Sequence, residues 1–419
     1  MRQPLGFEDV EHPDFVCRLQ KSLYGLKQAP RAWNAKFTGY LPALGFCSSP
    51  SLIQLVIDDL STVLDMKDMG TLTYFLGLQI TYGSNGDLFV HQTKYCKDLL
   101  KRAGMEACKL SVTPCKPHSS VLRNEGSLLT DPTQFRSIVG ALQYLTFTRP
   151  DIAFAVNSVC QFMQAPTDVH VGLVKRILRY LHGTLEYGLT FTTGSTSLTG
   201  YCDADWAGDP NSRRSTTGYV VFLGNNPVSW SSRKQSSVSR SSTEAEYRAL
   251  ANCVADIAWT RHILQDLHVF IPEATTLYSD NLSALALSSN PVFHSPIKHL
   301  ELDFHFIRER VQRRDLVVQY VQTEEQIADI FTKGLHSTLE WMGALMKRKE
   351  LVHKSKSKVH GYMGIYRIRI GMQFVYQGMS RIQMFQKDEE QGVRHGASLS
   401  YTKGLDGPSL AFGRAPSHL

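Results

Sequence analysis

The sequence lacks any long uninterrupted run of apolar residues, and it is poor in cysteine for its length. No stretch approaches the roughly 18 apolar residues that a membrane-spanning helix needs, and the first residues lack the apolar core of a signal peptide. We therefore expect no membrane partner. Eight cysteines among 419 residues, with no Cys-x-x-Cys pair, exclude a disulfide framework and a zinc knuckle. This usage favours a reducing intracellular compartment, the cytoplasm or nucleus.

The composition is that of a soluble globular protein. Hydrophobic residues make up 42% and charged residues 20% of the chain, and its length suggests two or three domains of about 100–200 residues each. The net charge of +7 comes entirely from residues 336–419, which carry 13 Lys/Arg against 6 Asp/Glu. Residues 1–335 are balanced, so the net charge by itself does not predict that they bind nucleic acid.

Four segments differ in character. Residues 1–82 mix turn dipeptides with short apolar runs, and residues 83–195 are predicted to be mostly helical after one hairpin around 83–87. Residues 196–335 alternate between strand and helix patterns. Residues 336–419 are basic and irregular, and we expect them to be disordered.

The third segment predicts one mixed sheet with helices on its faces. Strands in hairpins come first, and helices and strands then alternate, an order that fits an α/β (α+β) fold. The predicted strands are Leu198–Cys202, Gly218–Leu223, Val228–Trp230, a weak one near Val238, Thr276–Ser279 and Leu316–Val321. The predicted helices are 243–267, one from Leu282, 298–313 and 324–333.

Four acidic residues stand where such a sheet could gather them. Asp203 follows the first strand, Glu246 lies in the first turn of the long helix, Asp280 ends a later strand, and Asp329 lies on the last helix. Carboxylates without nearby thiolates suit hard cations such as Mg²⁺ or Mn²⁺. Two such ions about 4 Å apart can activate a water and stabilise the leaving oxygen in phosphodiester hydrolysis.

Spacing alone leaves a simpler explanation open for each acid. Asp203 and the nearby Asp205 fit solvated turn residues, and Asp329 fits an exposed helix acid. Glu246 stands three residues after a threonine, which is the spacing of a capping box. Asp280 precedes a helix that it could cap.

Five motifs in series resemble the ribonuclease H domain of copia-type retrotransposon polyproteins. They cover residues 200–208, 241–247, 278–281, 298–306 and 328–333. The resemblance implies a ribonuclease H-like fold that cuts the RNA strand of RNA–DNA hybrids with two divalent ions. It also implies that Asp203, Glu246, Asp280 and Asp329 are the metal-binding, catalytic acids. Asp205 competes for the first position and Glu244 for the second, although glutamates two residues apart on a helix differ by about 200° and cannot share one site.

The upstream sequence resembles the reverse transcriptase of the same polyproteins and the region that joins it to ribonuclease H. The matching stretches are 3–7, 16–33, 66–70, 74–77, 144–153 and 176–181. The family's polymerase centre needs aspartates from a strand before the first stretch and from a Tyr-Val-Asp-Asp hairpin. Here residues 47–65 join the flanking regions almost directly, and Asp58–Asp59 lacks the tyrosine and matches a helix instead.

The resemblance therefore implies a truncated Pol fragment whose polymerase centre is deleted. We expect a palm remnant in 1–82, a connection region in 83–195 and a ribonuclease H-like domain in 196–335 that folds alone. Lys27, Gln28, Arg31 and Trp33 are weak candidates for contacts with a template or primer, and packing explains them equally well. The alternatives are a non-catalytic nucleic-acid-binding relic and a reverse transcriptase, and the latter lacks the aspartates that it needs.

Overall fold

The computed structural model describes residue 58 and residues 71–83, 86–117, 121–267, 269–289, 301–334 and 347–348. All of them belong to the first of two compact units, Met1–Tyr362, and the second unit is Met363–Leu419. Lys27, Gln28, Arg31 and Trp33 lie outside the described residues, as does most of the predicted palm remnant. Asp58 is helical and exposed, in agreement with the helix that we predicted there.

The first sheet is built from hairpin strands and one later strand. Its order is β1-β2-β3-β4-β10, and every neighbouring pair is antiparallel. Tyr82 pairs with Leu88, so the hairpin predicted around 83–87 is confirmed. The strands are β1 Tyr74–Phe75, β2 Leu78–Tyr82, β3 Leu88–His91, β4 Tyr187–Phe191 and β10 Lys347–Arg348.

Two features of this sheet differ from the prediction. The glycine-containing β4 is too short to be recognised by itself, and its pairing with β3 defines it. Lys347–Arg348 pairs with β4, so the disorder expected for the basic tail does not extend to these two residues.

Helices fill most of the segment between β3 and β4, as predicted. They bury apolar side chains in one core that includes Leu142, Leu145, Ile177 and Leu181. The helical pattern breaks at Pro150, because proline cannot donate a backbone hydrogen bond. No helix among the described residues is long and apolar enough to cross a membrane. The elements are α1 Thr93–Arg102, α2 Thr133–Leu145, a 3-10 helix Pro150–Ile152, α3 Ala153–Cys160 and α4 Asp168–Gly183.

The second sheet has the order β7-β6-β5-β8-β9 and is mixed. Strands β5, β6 and β7 are antiparallel neighbours, whereas β8 pairs in parallel with both β5 and β9. The predicted mixed sheet with flanking helices is confirmed. Its strands are β5 Leu198–Asp205, β6 Thr216–Leu223, β7 Asn226–Lys234, β8 Thr275–Ser279 and β9 Leu316–Tyr320. Its helices are α5 Ser242–Asp266, α6 Leu282–Ser289 and α7 Glu301–Gln312.

Three details of this prediction are wrong. Strand β5 continues through Asp205 instead of ending at Cys202, because β6 pairs with it to that point. Val238 lies in an exposed loop and not in a strand. The last segment forms two 3-10 helices, Thr323–Glu325 and Ile327–Phe331, in place of one α-helix.

The two sheet regions share packing. One apolar cluster combines Ala153 and Leu189 with Val220, Phe222, Ile330 and Phe331. Trp230 Nε1 also donates a hydrogen bond to the Thr146 carbonyl at 3.0 Å. The independent folding of 196–335 stays a prediction, and this shared core argues that the preceding helices contribute to its stability. The boundary proposed at residue 82 falls inside the β2–β3 hairpin.

Candidate metal centre

Asp203 lies near the end of the central strand of the mixed sheet. Strand β5 pairs with β8 up to Tyr201 but with β6 as far as Asp205, so Asp203 stands where β5 extends beyond its parallel neighbour. Its side chain is buried, and the hydroxyl of Thr332 donates a hydrogen bond to its Oδ2. The local register therefore fixes one carboxylate at this edge of the sheet.

Glu246 faces the same place from α5 and does not cap the helix. Ser241 is the N-cap and accepts a hydrogen bond from the Glu244 backbone N–H at 3.2 Å, so the capping-box explanation of Glu246 is wrong. Glu244 forms an ion pair with Arg248 at 2.8 Å. Glu246 is only 7% exposed, and its Oε2 has no hydrogen-bond partner among the described residues.

Asp280 follows β8 and is half-buried. The cap of α6 is instead Asn281, whose Oδ1 accepts a hydrogen bond from the Ala284 N–H at 2.9 Å. Asp280 Oδ2 accepts a hydrogen bond from Thr323 Oγ1 at 3.2 Å. This acid is therefore not needed to cap a helix.

Three of the four acids converge. Asp203, Glu246 and Asp280 each offer a carboxylate oxygen, and these atoms all lie within 4.8 Å of one another. We call these three residues the acid triad. Asp329 is not part of it, but it lies close enough to Asp203 for the Asp203 charge to act on it. Lys333 lies beside Asp329, with its Nζ 3.0 Å from Asp329 Oδ1.

Burial and mutual repulsion raise the proton affinity of the cluster. Burial, followed by the charges of Asp203 and Asp280, raises the pKa of Glu246 to about 10. Burial and the Asp203 charge raise the pKa of Asp329 to about 7, although Lys333 opposes the shift. Burial lowers the pKa of Lys333, but the charges of Asp203 and Asp329 outweigh it and raise the pKa. Such a cluster favours a cation that can replace protons.

The donor set fits a hard divalent cation. The triad offers only carboxylate oxygens, and the unpartnered Glu246 oxygen lacks the hydrogen bond that a buried polar atom normally has. Cys202 precedes Asp203, but burial raises the pKa of its thiol well above the ordinary value, so it remains protonated and is a poor ligand. Mg²⁺ and Mn²⁺ prefer oxygen donors of this kind.

Asp205, the alternative to Asp203, lies outside the triad. Its carboxylate folds over Gly208, where an added Cβ would lie 1.6 Å from Asp205 Oδ2. Burial and the Asp203 charge raise the pKa of Asp205. It is therefore a neighbour of the site and not one of the three clustered acids.

Three residues that support the site, Gln326, Thr332 and Lys333, are not identified by the sequence patterns. Gln326 is fully buried, and its Nε2 donates a hydrogen bond to the Cys202 carbonyl at 3.0 Å, which ties the last 3-10 helix to β5. Thr332 and Lys333 contact Asp203 and Asp329. Thr332 and Lys333 both belong to the 328–333 motif, but only the tertiary structure shows which residues they contact.

Gly218 is predicted to be sensitive to a single methyl group. It pairs with Asp203 across β5 and β6, and a Cβ there would lie 2.6 Å from Thr332 Cγ2 and 2.8 Å from Phe331 Cβ. We expect Gly218→Ala to displace the Asp329 segment, to lower the free energy of unfolding by about 1–3 kcal/mol and to weaken divalent-ion binding. Chemical denaturation and metal titration measure both effects. Gly172→Ala on α4 is the control, since no described atom outside its helix backbone lies within 4 Å, and it should not weaken ion binding.

Without metal, the acid cluster predicts that the stability of the folded chain falls as pH rises. The pKa of Glu246 rises from 4.5 to about 10 on folding, and that of Asp329 from 3.8 to about 7. The folded state therefore holds protons that the unfolded state releases, and the cluster's contribution to the free energy of unfolding falls as pH rises above about 4. It levels off near pH 7 for Asp329 and near pH 10 for Glu246.

Thermal unfolding in chelator should thus show a lower midpoint at about pH 8 than at about pH 6, and added Mg²⁺ should reduce this difference. Glu246→Gln should flatten the dependence, whereas Glu244→Gln should keep it. An equal slope in Glu246→Gln and the unsubstituted chain would contradict the electrostatic account.

Comparison with known proteins identifies relatives of this chain. The family model described as reverse transcriptase (RNA-dependent DNA polymerase) matches residues 1–57. The retrovirus-related Pol polyprotein from transposon RE1 of Arabidopsis thaliana is 44% identical over 370 residues, which are 81% of this chain and 25% of that protein. A putative transposon Ty5-1 protein of Saccharomyces cerevisiae is 33% identical, over 61% of this chain and 94% of its own length.

Solved structures with likeness to this chain include a ribonuclease H1 isolated from compost, LC11, with a TM-score of 0.26 and 22% identity. It is matched over 33% of this chain and 93% of its own. A foamy viral protease–reverse transcriptase in complex with dsDNA has a TM-score of 0.40 and 14% identity, over 72% of this chain and 60% of its own.

The strand order defines the fold class, and the sequence relatives define the family. The mixed sheet β7-β6-β5-β8-β9, with helices on its faces, is a ribonuclease H-like fold. The chain belongs to the Pol polyprotein family of copia-type retrotransposons. It spans about a quarter of the length of the Arabidopsis polyprotein from transposon RE1, and equally of a second one from transposon RE2.

Proposed function

We propose that the ribonuclease H-like region cuts the RNA strand of RNA–DNA hybrids, with two Mg²⁺ or Mn²⁺ ions held by the acid triad and Asp329. The observation that carries the proposal is the triad itself. Its oxygens lie within 4.8 Å of one another, although both Asp203 and Glu246 are buried. Mutual repulsion makes such a cluster costly, and a structural role offers nothing to offset this cost.

The proposed metal ligands come from different elements of the mixed sheet and its helices. Asp203 lies on the central strand, and its charge acts on both Glu246 and Asp329. The Thr332 hydroxyl donates a hydrogen bond to Asp203 Oδ2. Glu246 and Asp280 approach from α5 and the end of β8. When bound, the ions would supply an activated water and a stabilised leaving oxygen, which leaves 3′-hydroxyl and 5′-phosphate ends. Burial of the acids keeps bulk water away from the ligands and strengthens their electrostatic effect.

The hybrid is the substrate that the family motifs favour. The motifs in 200–208, 241–247, 278–281 and 328–333 contribute the triad, Asp329 and their immediate neighbours. A non-catalytic hybrid-binding protein is the second candidate, because the two sheet regions share a core that would persist without chemistry. The unpartnered Glu246 oxygen favours the nuclease, since binding alone does not require it.

We further propose that the chain does not extend primers. Residues 47–65 contain no Tyr-Val-Asp-Asp sequence, and polymerisation needs clustered aspartates that hold two ions. Any contact of Lys27, Gln28, Arg31 or Trp33 with nucleic acid would then be binding without synthesis.

A cleavage assay on the full purified chain tests the nuclease proposal. We expect cleavage of end-labelled RNA in an RNA–DNA hybrid with Mg²⁺ or Mn²⁺, no cleavage in chelator, and no cleavage of double-stranded RNA. The products should carry 3′-hydroxyl ends. Hybrid binding without cleavage under every metal condition would overturn the proposal and support the second candidate. A primer-extension assay on the same preparation should give no nucleotide incorporation.

A further inference from the structure

A cation already stands at one edge of the carboxylate cluster. Lys333 Nζ lies 3.0 Å from Asp329 Oδ1, one turn further along the chain. The negative charges of Asp203 and Asp280 also act on this ammonium group. The site thus contains a positive charge of its own, next to the acids assigned to metal.

The acids around Asp203 differ in whether a basic side chain pairs with them. On the triad side, Glu246 and Asp280 bring two further acids, and none of the three triad acids forms an ion pair with a lysine or arginine among the described residues. On the other side, Lys333 pairs with Asp329, and Thr332 donates a hydrogen bond to Asp203 Oδ2. The triad acids therefore have no ion-pair partner among the described residues, whereas Asp329 already has one.

Lys333 can leave its partner. Its side chain is 44% exposed, whereas that of Asp329 is 11% exposed, so the lysine is much more accessible to solvent than the aspartate. A lysine side chain is long and flexible, and its ammonium is well hydrated in water. Withdrawal of Lys333 would thus free Asp329 without a rearrangement of the 3-10 helix that carries it.

We propose that Lys333 is a built-in counter-ion that makes the two metal-binding steps unequal: the first divalent ion binds the acid triad, and a second ion binds at Asp329 only when Lys333 has left it. This inference rests on the proposed function. Lys333 is a positioning residue here, because it acts through Asp329 and not on the substrate.

The physical consequence is a gap in affinity between the two ions. The first ion meets carboxyl groups that have no ion-pair partner among the described residues, whereas the second must replace an existing ion pair at close range. Coulomb energies at such distances change affinities by at least about tenfold, even with strong screening. At low concentrations of divalent ion, the protein would hold one ion and keep Asp329 paired with Lys333.

Calorimetric titration of the full chain with Mn²⁺, without nucleic acid, tests the inference. We expect one tight and one weak step in the unsubstituted chain. In Lys333→Met, the second step should become at least about tenfold tighter, and the first step should tighten by a smaller factor, because the Lys333 charge also acts on Asp203 and Asp280. Lys333→Arg keeps the charge and should keep the weak second step. Arg313→Met is the matched control, because it removes another i,i+4 ion pair, with Glu309, at an exposed position just after α7.

The outcomes separate this inference from the proposed function. A second step in Lys333→Met that is as weak as before would overturn the counter-ion role while leaving the nuclease proposal intact. A chain that binds Mn²⁺ no more tightly than its Asp280→Asn variant would overturn the metal site itself. If Lys333→Met weakens hybrid binding and leaves both metal steps unchanged, Lys333 contacts the substrate and the inference is wrong. Circular dichroism verifies folding of each variant, and Lys333→Gln replaces the Met variant if that does not fold.

Discussion

Asp280→Asn should abolish hybrid cleavage and leave hybrid binding nearly intact. Asn keeps the size of the side chain and the oxygen that accepts a hydrogen bond from Thr323, but it removes one charge from the triad. We expect the cleavage rate to fall at least about a thousandfold, which corresponds to about 4 kcal/mol of lost transition-state stabilisation. Single-turnover cleavage and equilibrium binding of the same labelled hybrid measure the two properties separately.

The same substitution should stabilise the metal-free fold. The Asp280 charge contributes to the raised pKa of Glu246, so removing it relieves repulsion in the cluster. A gain of about 1 kcal/mol in the free energy of unfolding is expected in chelator. Addition of Mg²⁺ should then stabilise this variant less than the unsubstituted chain.

Glu244→Gln is the control for loss of a buried acid outside the triad. Glu244 is buried on the same helix as Glu246, but it pairs with Arg248 and not with the triad. This variant should lose some stability and retain most of its cleavage activity. Full cleavage by Asp280→Asn would falsify the nuclease assignment.

Arg149→Met should strongly destabilise the chain, because it breaks a buried ion pair. Arg149 NH2 lies 2.8 Å from Asp151 Oδ2, and the two side chains are 4% and 0% exposed. The Tyr180 hydroxyl also donates a hydrogen bond to Asp151 at 2.8 Å, and Arg149 NH1 donates one to the Thr184 carbonyl at 2.8 Å. Removal of the guanidinium leaves a buried carboxylate without its partner, at a cost of about 3–5 kcal/mol.

Equilibrium denaturation of the full chain measures this loss. Arg313→Met is the control, because its ion pair with Glu309 is exposed and should contribute less than about 1 kcal/mol. The double substitution Arg149→Met with Asp151→Leu should recover part of the stability, since it removes the stranded charge as well. A loss below about 1 kcal/mol in Arg149→Met would show that Asp151 is satisfied without the arginine.

The sequence by itself determined most of the second sheet and the identity of the candidate acids. The strand and helix patterns of 196–335 are strong because burial alternates along β8 and the first half of β5, β6 buries a nearly continuous run, and α5 is long. The motifs around the four acids are local in sequence, so they can be recognised without a structure.

Tertiary structure decided what local spacing left open. Glu246 follows a threonine at capping distance, yet Ser241 caps the helix, because the chain enters α5 two residues earlier than the capping-box spacing implies. Strand β4 exists through its pairing with β3, which lies about 100 residues earlier in the chain. The convergence of Asp203, Glu246 and Asp280 depends on three elements that are remote in sequence.

The same reason explains why Lys333 and Thr332 were not recognised as parts of the site. Sequence patterns report burial and periodicity along one element, whereas a contact between two elements depends on register and packing angle. Thr332 and Lys333 follow the 3-10 helix Ile327–Phe331. Gln326 ties that helix to β5 by a hydrogen bond, and the absence of a side chain at Gly218 lets the helix approach β6 closely. The sequence therefore determines which acids form the candidate site. The fold determines which of them pair with Lys333 or Thr332.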